Sequence, residues 1–294
     1  MRRFQAISSI VIISLVVAGL VYASRGLWRP WVENLERPTL PTAVSYEPLP
    51  TSSSTLSFPT STKSARSHAV ATSTSPKPSS SKPVSVATSS GSEAPSNDPF
   101  VVTGDRPTEK NLAVPFLLQA PKQNWDMPYQ EACEEASLLM GNAYLQGRSR
   151  DFTPDEADRL ILELINYETA QGDPPDITIK RLAEVAQAHY GLHPVLKTIT
   201  SLEPIKNAVA NGYVVIVPAY GKALKNPNFH NGGPPYHMLV VKGYLSDGTI
   251  ITNDPGTRKG KDYTYDPAIL LNAIHDWNGG AVEQGEKTVL ALTP

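Results

Sequence analysis

The chain has 294 residues, a formal net charge of −2 and a single cysteine. No basic patch stands out, so the sequence does not indicate a nucleic-acid partner, and one cysteine cannot form an internal disulfide. The composition divides the chain into three parts: a predicted signal anchor at residues 1–30, a predicted disordered stalk at residues 31–110, and a globular domain at residues 111–294.

The first part contains a nearly uncharged segment, Phe4–Ser24, with arginines on both sides. About 20 apolar residues are enough for a helix to cross a bilayer, so we expect a single-pass anchor in the cell membrane. The alternative is a signal peptide that is cleaved after Ala23, where small residues suit a signal peptidase. Either arrangement places the rest of the chain outside the cytoplasm.

The second part has the composition of a stalk. Ser, Thr and Pro account for 30 of the 50 residues between Thr51 and Phe100, and few residues there are large and apolar. Such a segment cannot bury enough surface to offset the entropy of ordering it, so we expect it to be disordered. A stalk of this kind would hold the domain away from the membrane surface.

One short strand and four helices are predicted for the first part of the domain. Residues 112–121 are apolar and predict the strand. From about Glu131, apolar positions recur every three or four residues, which is typical of a helix with one buried face. Thr153 and Glu156 form a capping-box signal that begins a second helix. The last two helices are predicted at residues 178–191 and 201–212.

The second part of the domain is richer in β-branched and aromatic residues, which favour strands. Four strands are predicted at residues 213–220, 236–244, 249–253 and 288–292, with one further helix at residues 266–277. Helices followed by an antiparallel sheet are typical of an α+β domain and not of alternating βαβ units.

Cys133 lies near the start of the first long predicted helix. The thiolate is the nucleophilic form of cysteine, and its pKa falls at a helix N-terminus or beside a protonated histidine. Glu134 and Glu135 follow directly, and their carboxylates would oppose a thiolate if they lay close to the sulfur. Cys133 is therefore a candidate nucleophile, and a small buried apolar residue is the alternative.

His237 and Asp254 are the candidate partners of that thiol. If residues 245–248 form a turn with a two- or four-residue loop, His237 and Asp254 lie on neighbouring antiparallel strands. They are then an even number of residues away from directly paired positions, so both side chains lie on the same face of the sheet. An aspartate in that place can hold the imidazole in one tautomer and orientation. Taken singly, His237 also suits a buried core position, and Asp254 suits a turn before Pro255.

A cysteine on a helix, then a histidine on a strand and an aspartate on the next strand, is the chain order of papain-fold cysteine peptidases. Residues 114–140, 236–244 and 251–257 resemble the bacteriocin (double-glycine) leader peptidase-like family of that fold, in its stand-alone branch that lacks a transporter. The resemblance covers about Val114 to Pro294 and implies a papain-like α+β fold. It also implies that Cys133 is the nucleophile.

The same resemblance implies roles for the other candidates. His237 would be the general base and acid, and Asp254 would orient it. A glutamine before the cysteine would help to bind the oxyanion beside the Cys133 backbone N–H. Gln119 is the best match, although Gln123 and Gln130 are nearer in sequence.

The chain departs from the family in two ways. None of the three glutamines has the six-residue spacing to the cysteine that is common in papain-like enzymes, and Glu134 stands where many members carry Gly directly after the cysteine. The loop before His237 suits a surface position beside the site, and three of its residues are candidates to line a substrate groove. These are Phe229, His230 and Tyr236. A plain connecting loop is the alternative.

The sequence therefore favours a membrane-anchored, extracytoplasmic cysteine peptidase or amidase whose domain is monomeric. Its substrate would be a peptide, a surface protein or a peptidoglycan cross-bridge. No cofactor and no metal is expected, because the candidate residues lack a recognisable zinc spacing. The alternative is a catalytically inactive papain-like domain that serves as a surface binding or adhesion module.

Overall fold

The computed structural model describes residues 38–48, 98–102 and 104–294. The predicted anchor at residues 1–30 and much of the predicted stalk lie outside the described residues. Within the described ranges, no helix is long and apolar enough to cross a membrane.

Two short pieces of residues 31–110 pack on the domain. The Val44 N–H donates to Asn111 O at 2.9 Å, and Asn111 Nδ2 donates to Pro41 O at 2.9 Å. Phe100 is buried in the core, and its carbonyl accepts a hydrogen bond from Asn207 Nδ2 at 3.1 Å. The folded domain therefore includes these pieces in addition to residues 111–294.

The described part of the chain folds into helices and one antiparallel sheet, an α+β architecture as predicted. The helices are α1 (Cys133–Leu145), α2 (Pro154–Gln171), α3 (Ile179–Tyr190), α4 (Glu203–Ala210) and α5 (Pro267–Ala273). The strands are β1 (Lys110–Asn111), β2 (Val195–Thr198), β3 (Val215–Ala219), β4 (His237–Tyr244), β5 (Ile250–Asn253), β6 (Tyr263–Tyr265) and β7 (Thr288–Ala291).

The strand order of the sheet is β2-β7-β3-β4-β5-β6, and the short β1 also pairs with β4. Strand β4 is central and is buried along its whole length. It pairs with β3 from its first residue, where His237 lies opposite Ala219. This position places the start of β4 deep inside the domain.

Local sequence signals set the helix ends. The Thr153 hydroxyl accepts a hydrogen bond from the Glu156 N–H, and the Glu156 carboxylate accepts one from the Thr153 N–H, so the predicted capping box is confirmed. Gly172 and Gly191 end α2 and α3 in the left-handed conformation. A residue without a Cβ adopts this conformation at little cost.

Helix α1 differs from its prediction. The sequence predicts one buried face, but α1 is buried on all sides from Cys133 to Tyr144. It packs against α2 and α3 and also against β3 and β4. Because α1 lies between helices and sheet, its polar side chains are enclosed as well, Glu134 and Glu135 among them.

The predicted strand at residues 112–121 is wrong. Strand β1 ends at Asn111, and Leu112 forms only an isolated parallel bridge to Val44. Pro115 and Pro121 have no backbone N–H to donate, which disfavours a strand across this segment. Strands β2 and β6 were not predicted, because they are only four and three residues long.

Candidate active site

Cys133 is the first residue of α1 and follows a 3-10 turn at Tyr129–Glu131. Its Sγ accepts a hydrogen bond from the Met238 N–H at 3.2 Å and donates one to Glu134 Oε2 at 2.9 Å. Burial, reinforced by the charge of Glu134, raises the pKa of the thiol well above its ordinary value. At this helix start, burial outweighs the helix effect, and the thiol is protonated.

His237 and Asp254 lie side by side, with Nε2 and Oδ1 2.8 Å apart. Since Nε2 faces the charged Asp254 carboxylate, it is the donor of this hydrogen bond. Nδ1 has no hydrogen-bond partner in the described part of the chain. The Met238 N–H that contacts the Cys133 sulfur belongs to the next residue, so the sulfur lies against the backbone at His237.

The register that brings these two residues together differs from the predicted one. Leu245 and Thr249 close the β4–β5 turn, so the loop has three residues and not two or four. With unbroken pairing from that loop, Asp254 would be an odd number of residues away from the position opposite His237, and the two side chains would lie on opposite faces. The strands shift register between Val241 and Gly243. This bulge sets Val240 opposite Asn253, which restores an even offset.

Three further groups hold the Asp254 carboxylate. Tyr265 Oη donates to Oδ2 at 2.6 Å, Asn226 Nδ2 donates to Oδ2 at 3.3 Å, and the Gly256 N–H donates to Oδ1 at 3.0 Å. Burial alone would raise the pKa of Asp254, but His237, Tyr265 and the Gly256 N–H lower it below its ordinary value. Asp254 is therefore a charged acceptor that is fixed from several sides.

Two of these donors could not be predicted from the sequence. Tyr265 lies in the unpredicted strand β6, and Asn226 lies in the loop between β3 and β4. Asn226 Nδ2 also donates to Tyr265 Oη at 2.9 Å. No short sequence motif links either residue to Asp254, and only the folded chain brings them into hydrogen-bond contact with its carboxylate.

Comparison with known proteins decides the family. The model of the peptidase C39-like family matches residues 111–279, more than half of the chain. The chain belongs to the peptidase C39-like family. The resemblance seen in the sequence is thus confirmed, and membership of the stand-alone branch stays a prediction.

Other comparisons add little. A crystal structure of a protein from Bacillus anthracis that is assigned as a C39-like peptidase matches with 18% sequence identity and a TM-score of 0.40. The match covers 63% of this chain and 98% of that one. A search of curated proteins found no match.

In this C39-like domain, Gln119 connects the two halves of the site. Its backbone N–H donates to Pro255 O at 3.1 Å, next to Asp254. Its Nε2 donates to Tyr129 O at 3.1 Å and Gln130 O at 2.9 Å, in the turn before Cys133. These two bonds use both amide hydrogens, and the predicted oxyanion role of Gln119 stays a prediction.

The C39-like site is closed. Cys133, His237 and Asp254 are only 3%, 1% and 0% exposed. The Phe229 ring packs edge-on against the His237 ring, with the centroids 5.3 Å apart. Gly256 lies on the same ring, where a Cβ would be 2.8 Å from His237 Cε1. Of the predicted groove residues, Phe229 thus covers the site.

The other two groove candidates differ in exposure. His230 is exposed on a 3-10 turn, and Tyr236 is buried, with its Oη 3.0 Å from Ile177 O. Among the described residues, no group of His, Cys, Asp and Glu side chains is placed to hold a metal ion.

Proposed function

We propose that this protein is a cysteine peptidase or amidase that cleaves peptide or isopeptide bonds with Cys133, His237 and Asp254. One observation carries the proposal. His237 and Asp254 form a buried contact of 2.8 Å, and the next residue after His237, Met238, donates its N–H to the Cys133 sulfur. A neutral imidazole oriented by a carboxylate beside a thiol is the arrangement that nucleophilic catalysis needs.

We infer the following reaction for this arrangement. In this mechanism, His237 Nδ1 acts as the general base that takes the proton of the Cys133 thiol, and the sulfur attacks the carbonyl carbon of the substrate. The imidazolium, stabilised by Asp254, then gives its proton to the leaving nitrogen as the C–N bond breaks. Water, activated by the same imidazole, hydrolyses the thioester and restores the thiol.

The oxyanion formed during attack needs donors beside the sulfur. The backbone N–H of Cys133 is one candidate, and Gln119 is the second. Because Gln119 Nε2 donates to the two carbonyls of the preceding turn, we propose that it releases one of them when substrate binds. Gln119 also keeps this turn in contact with the Asp254 segment.

We further propose that the domain acts outside the cytoplasm, held to the membrane by residues 1–30 and extended by the Ser/Thr/Pro-rich segment. An anchored peptidase of this kind would reach exported peptides, surface proteins and peptidoglycan cross-bridges. The composition of the N-terminal residues supports this placement.

Alkylation by iodoacetamide tests the activated thiol, because Cys133 is the only cysteine. The full chain should be labelled at pH 7, and Cys133→Ala should not be. His237→Ala should react about 100-fold more slowly, the range expected on removal of a general base. His193→Ala is the matched control, since that side chain is exposed. Equal alkylation rates for the parent and His237→Ala would refute the proposal.

A second candidate is a catalytically inactive binding module. One observation favours it: in the closed site, the Cys133 thiol donates to Glu134 and not to His237. A peptide library that includes branched cross-bridge peptides separates the two functions. Cleavage by the parent but not by Cys133→Ala supports the peptidase, whereas retained peptides without cleaved products support the binding module.

A further inference from the structure

The Glu134 carboxyl lies directly against the reactive sulfur. Oε2 is 2.9 Å from Cys133 Sγ, and Oε1 accepts the Ile177 N–H at 3.3 Å. Glu134 is fully buried. This contact joins the residue after the nucleophile to the reacting atom itself, and no step of the mechanism above uses it.

The surroundings of Glu134 favour a neutral carboxyl. None of the described lysine, arginine or histidine side chains forms an ion pair with it, and an unpaired charge in a buried site is costly. The titratable groups that face it are acidic or neutral: Cys133 and Glu135 on α1, Asp176 before α3, and Tyr236 before β4.

Burial raises the pKa of Glu134 to about 8, and the charge of Asp176 acts in the same direction against the hydrogen bond from Cys133. At neutral pH, Glu134 therefore carries a proton that it can donate. The contact can then work in two directions: the thiol donates to Oε2 at rest, and the carboxyl O–H donates to the sulfur after the thiol has ionised.

We propose that Glu134 is a further catalytic residue, whose neutral carboxyl donates a hydrogen bond to the Cys133 sulfur once the thiol proton has moved to His237. The inference rests on the proposed cysteine peptidase function. The proton of Glu134 stays on its carboxyl throughout, while the thiol proton passes to His237 Nδ1 and then to the leaving nitrogen. The sulfur thus keeps two donors during attack, Glu134 and the Met238 N–H.

Ionisation of Glu134 reverses its effect. A carboxylate 2.9 Å from the sulfur opposes a second negative charge, so the thiol remains protonated. The reactivity of Cys133 should consequently fall as the pH rises through the pKa of Glu134, although an ordinary thiol becomes more reactive over that range.

The test is the rate of iodoacetamide alkylation of the full chain between pH 6 and pH 9. The parent rate should fall above about pH 8. Glu134→Gln keeps an N–H donor that cannot ionise, so it should react within about threefold of the parent at pH 7 and lose the fall. Glu134→Leu has no donor and should react about 10–100-fold more slowly at pH 7.

Glu135→Gln is the matched control, because Glu135 is also buried on α1 but makes no hydrogen bond to the sulfur. It should keep the alkaline fall. The inference is overturned if the parent shows no fall, if Glu134→Gln retains it, or if Glu134→Leu reacts like the parent. Failure of the proposed function is distinct, since there His237→Ala would react at the parent rate.

Discussion

Replacing Gly256 with alanine should displace the His237 ring. An added Cβ would lie 2.8 Å from His237 Cε1, 3.2 Å from Nε2 and 3.0 Å from Phe229 Cε1. Carbon atoms in ordinary contact are about 3.5–4.0 Å apart, so the ring or the loop must move by about 0.7–1.2 Å. The Asp254 contact limits where the ring can go, because Nε2 is hydrogen-bonded to it at 2.8 Å.

A displacement of about 1 Å at a catalytic group reduces the rate about 100-fold. We therefore expect iodoacetamide to alkylate Cys133 of Gly256→Ala about 10–100-fold more slowly than the parent at pH 7. Crowding a packed site should also lower the free energy of unfolding by about 1–3 kcal/mol. Both quantities can be measured on the same samples, by alkylation kinetics and by urea denaturation.

Gly248→Ala is the matched control in the β4–β5 turn. Gly248 has a φ of +93°, and the nearest atom to an added Cβ is Lys206 Nζ at 3.8 Å. This variant should lose about 1 kcal/mol or more through backbone strain while alkylating at the parent rate. A folded Gly256→Ala protein that alkylates as fast as the parent would refute the reasoning.

Two further predictions concern the groups around the site. Tyr265→Phe removes the 2.6 Å hydrogen bond to Asp254. It should lower the free energy of unfolding by about 1.5–3 kcal/mol, the range for hydrogen bonds to charged groups. An unchanged midpoint of urea denaturation would contradict this. Burial raises the pKa of Glu135 well above its ordinary value and that of Glu168 to about 7. Their contribution to stability is therefore complete below about pH 4.5 and is lost as the pH rises through about 7. The loss is at most about 1.4 kcal/mol per pH unit for each proton. Glu135→Gln should flatten the decline of Tm between pH 6 and pH 8, and a slope like that of the parent would exclude the pair as its source.

Features encoded within a few residues were predictable. The α2 cap depends on Thr153 and Glu156 alone. Local spacing predicted a helix from about Glu131, and α1 begins two residues later, at Cys133. The pairing of His237 with Asp254 was accessible for a related reason, since a hairpin relates residues that are near in sequence.

Features that depend on packing were not predictable. The sequence could not show that α1 is enclosed on all sides, and so could not place the Glu134 carboxyl on the sulfur. The three-residue loop and the bulge near Lys242 were not predicted either. Each changes the offset between His237 and Asp254 by one residue, and the two changes cancel. The even offset was correct although the loop length was wrong. Tyr265 and Asn226 reach Asp254 only through tertiary structure.

The enclosure of α1 has a consequence for the redox state of the protein. In the folded domain, the only thiol is 3% exposed, so it reacts with oxidants in bulk solvent more slowly than an exposed thiol would. An unfolded copy, by contrast, exposes a cysteine that has no partner in its own chain. In an oxidising compartment, such copies can pair only with other molecules through a disulfide. Covalent dimers on a non-reducing gel would therefore report the fraction of chains that have lost the fold.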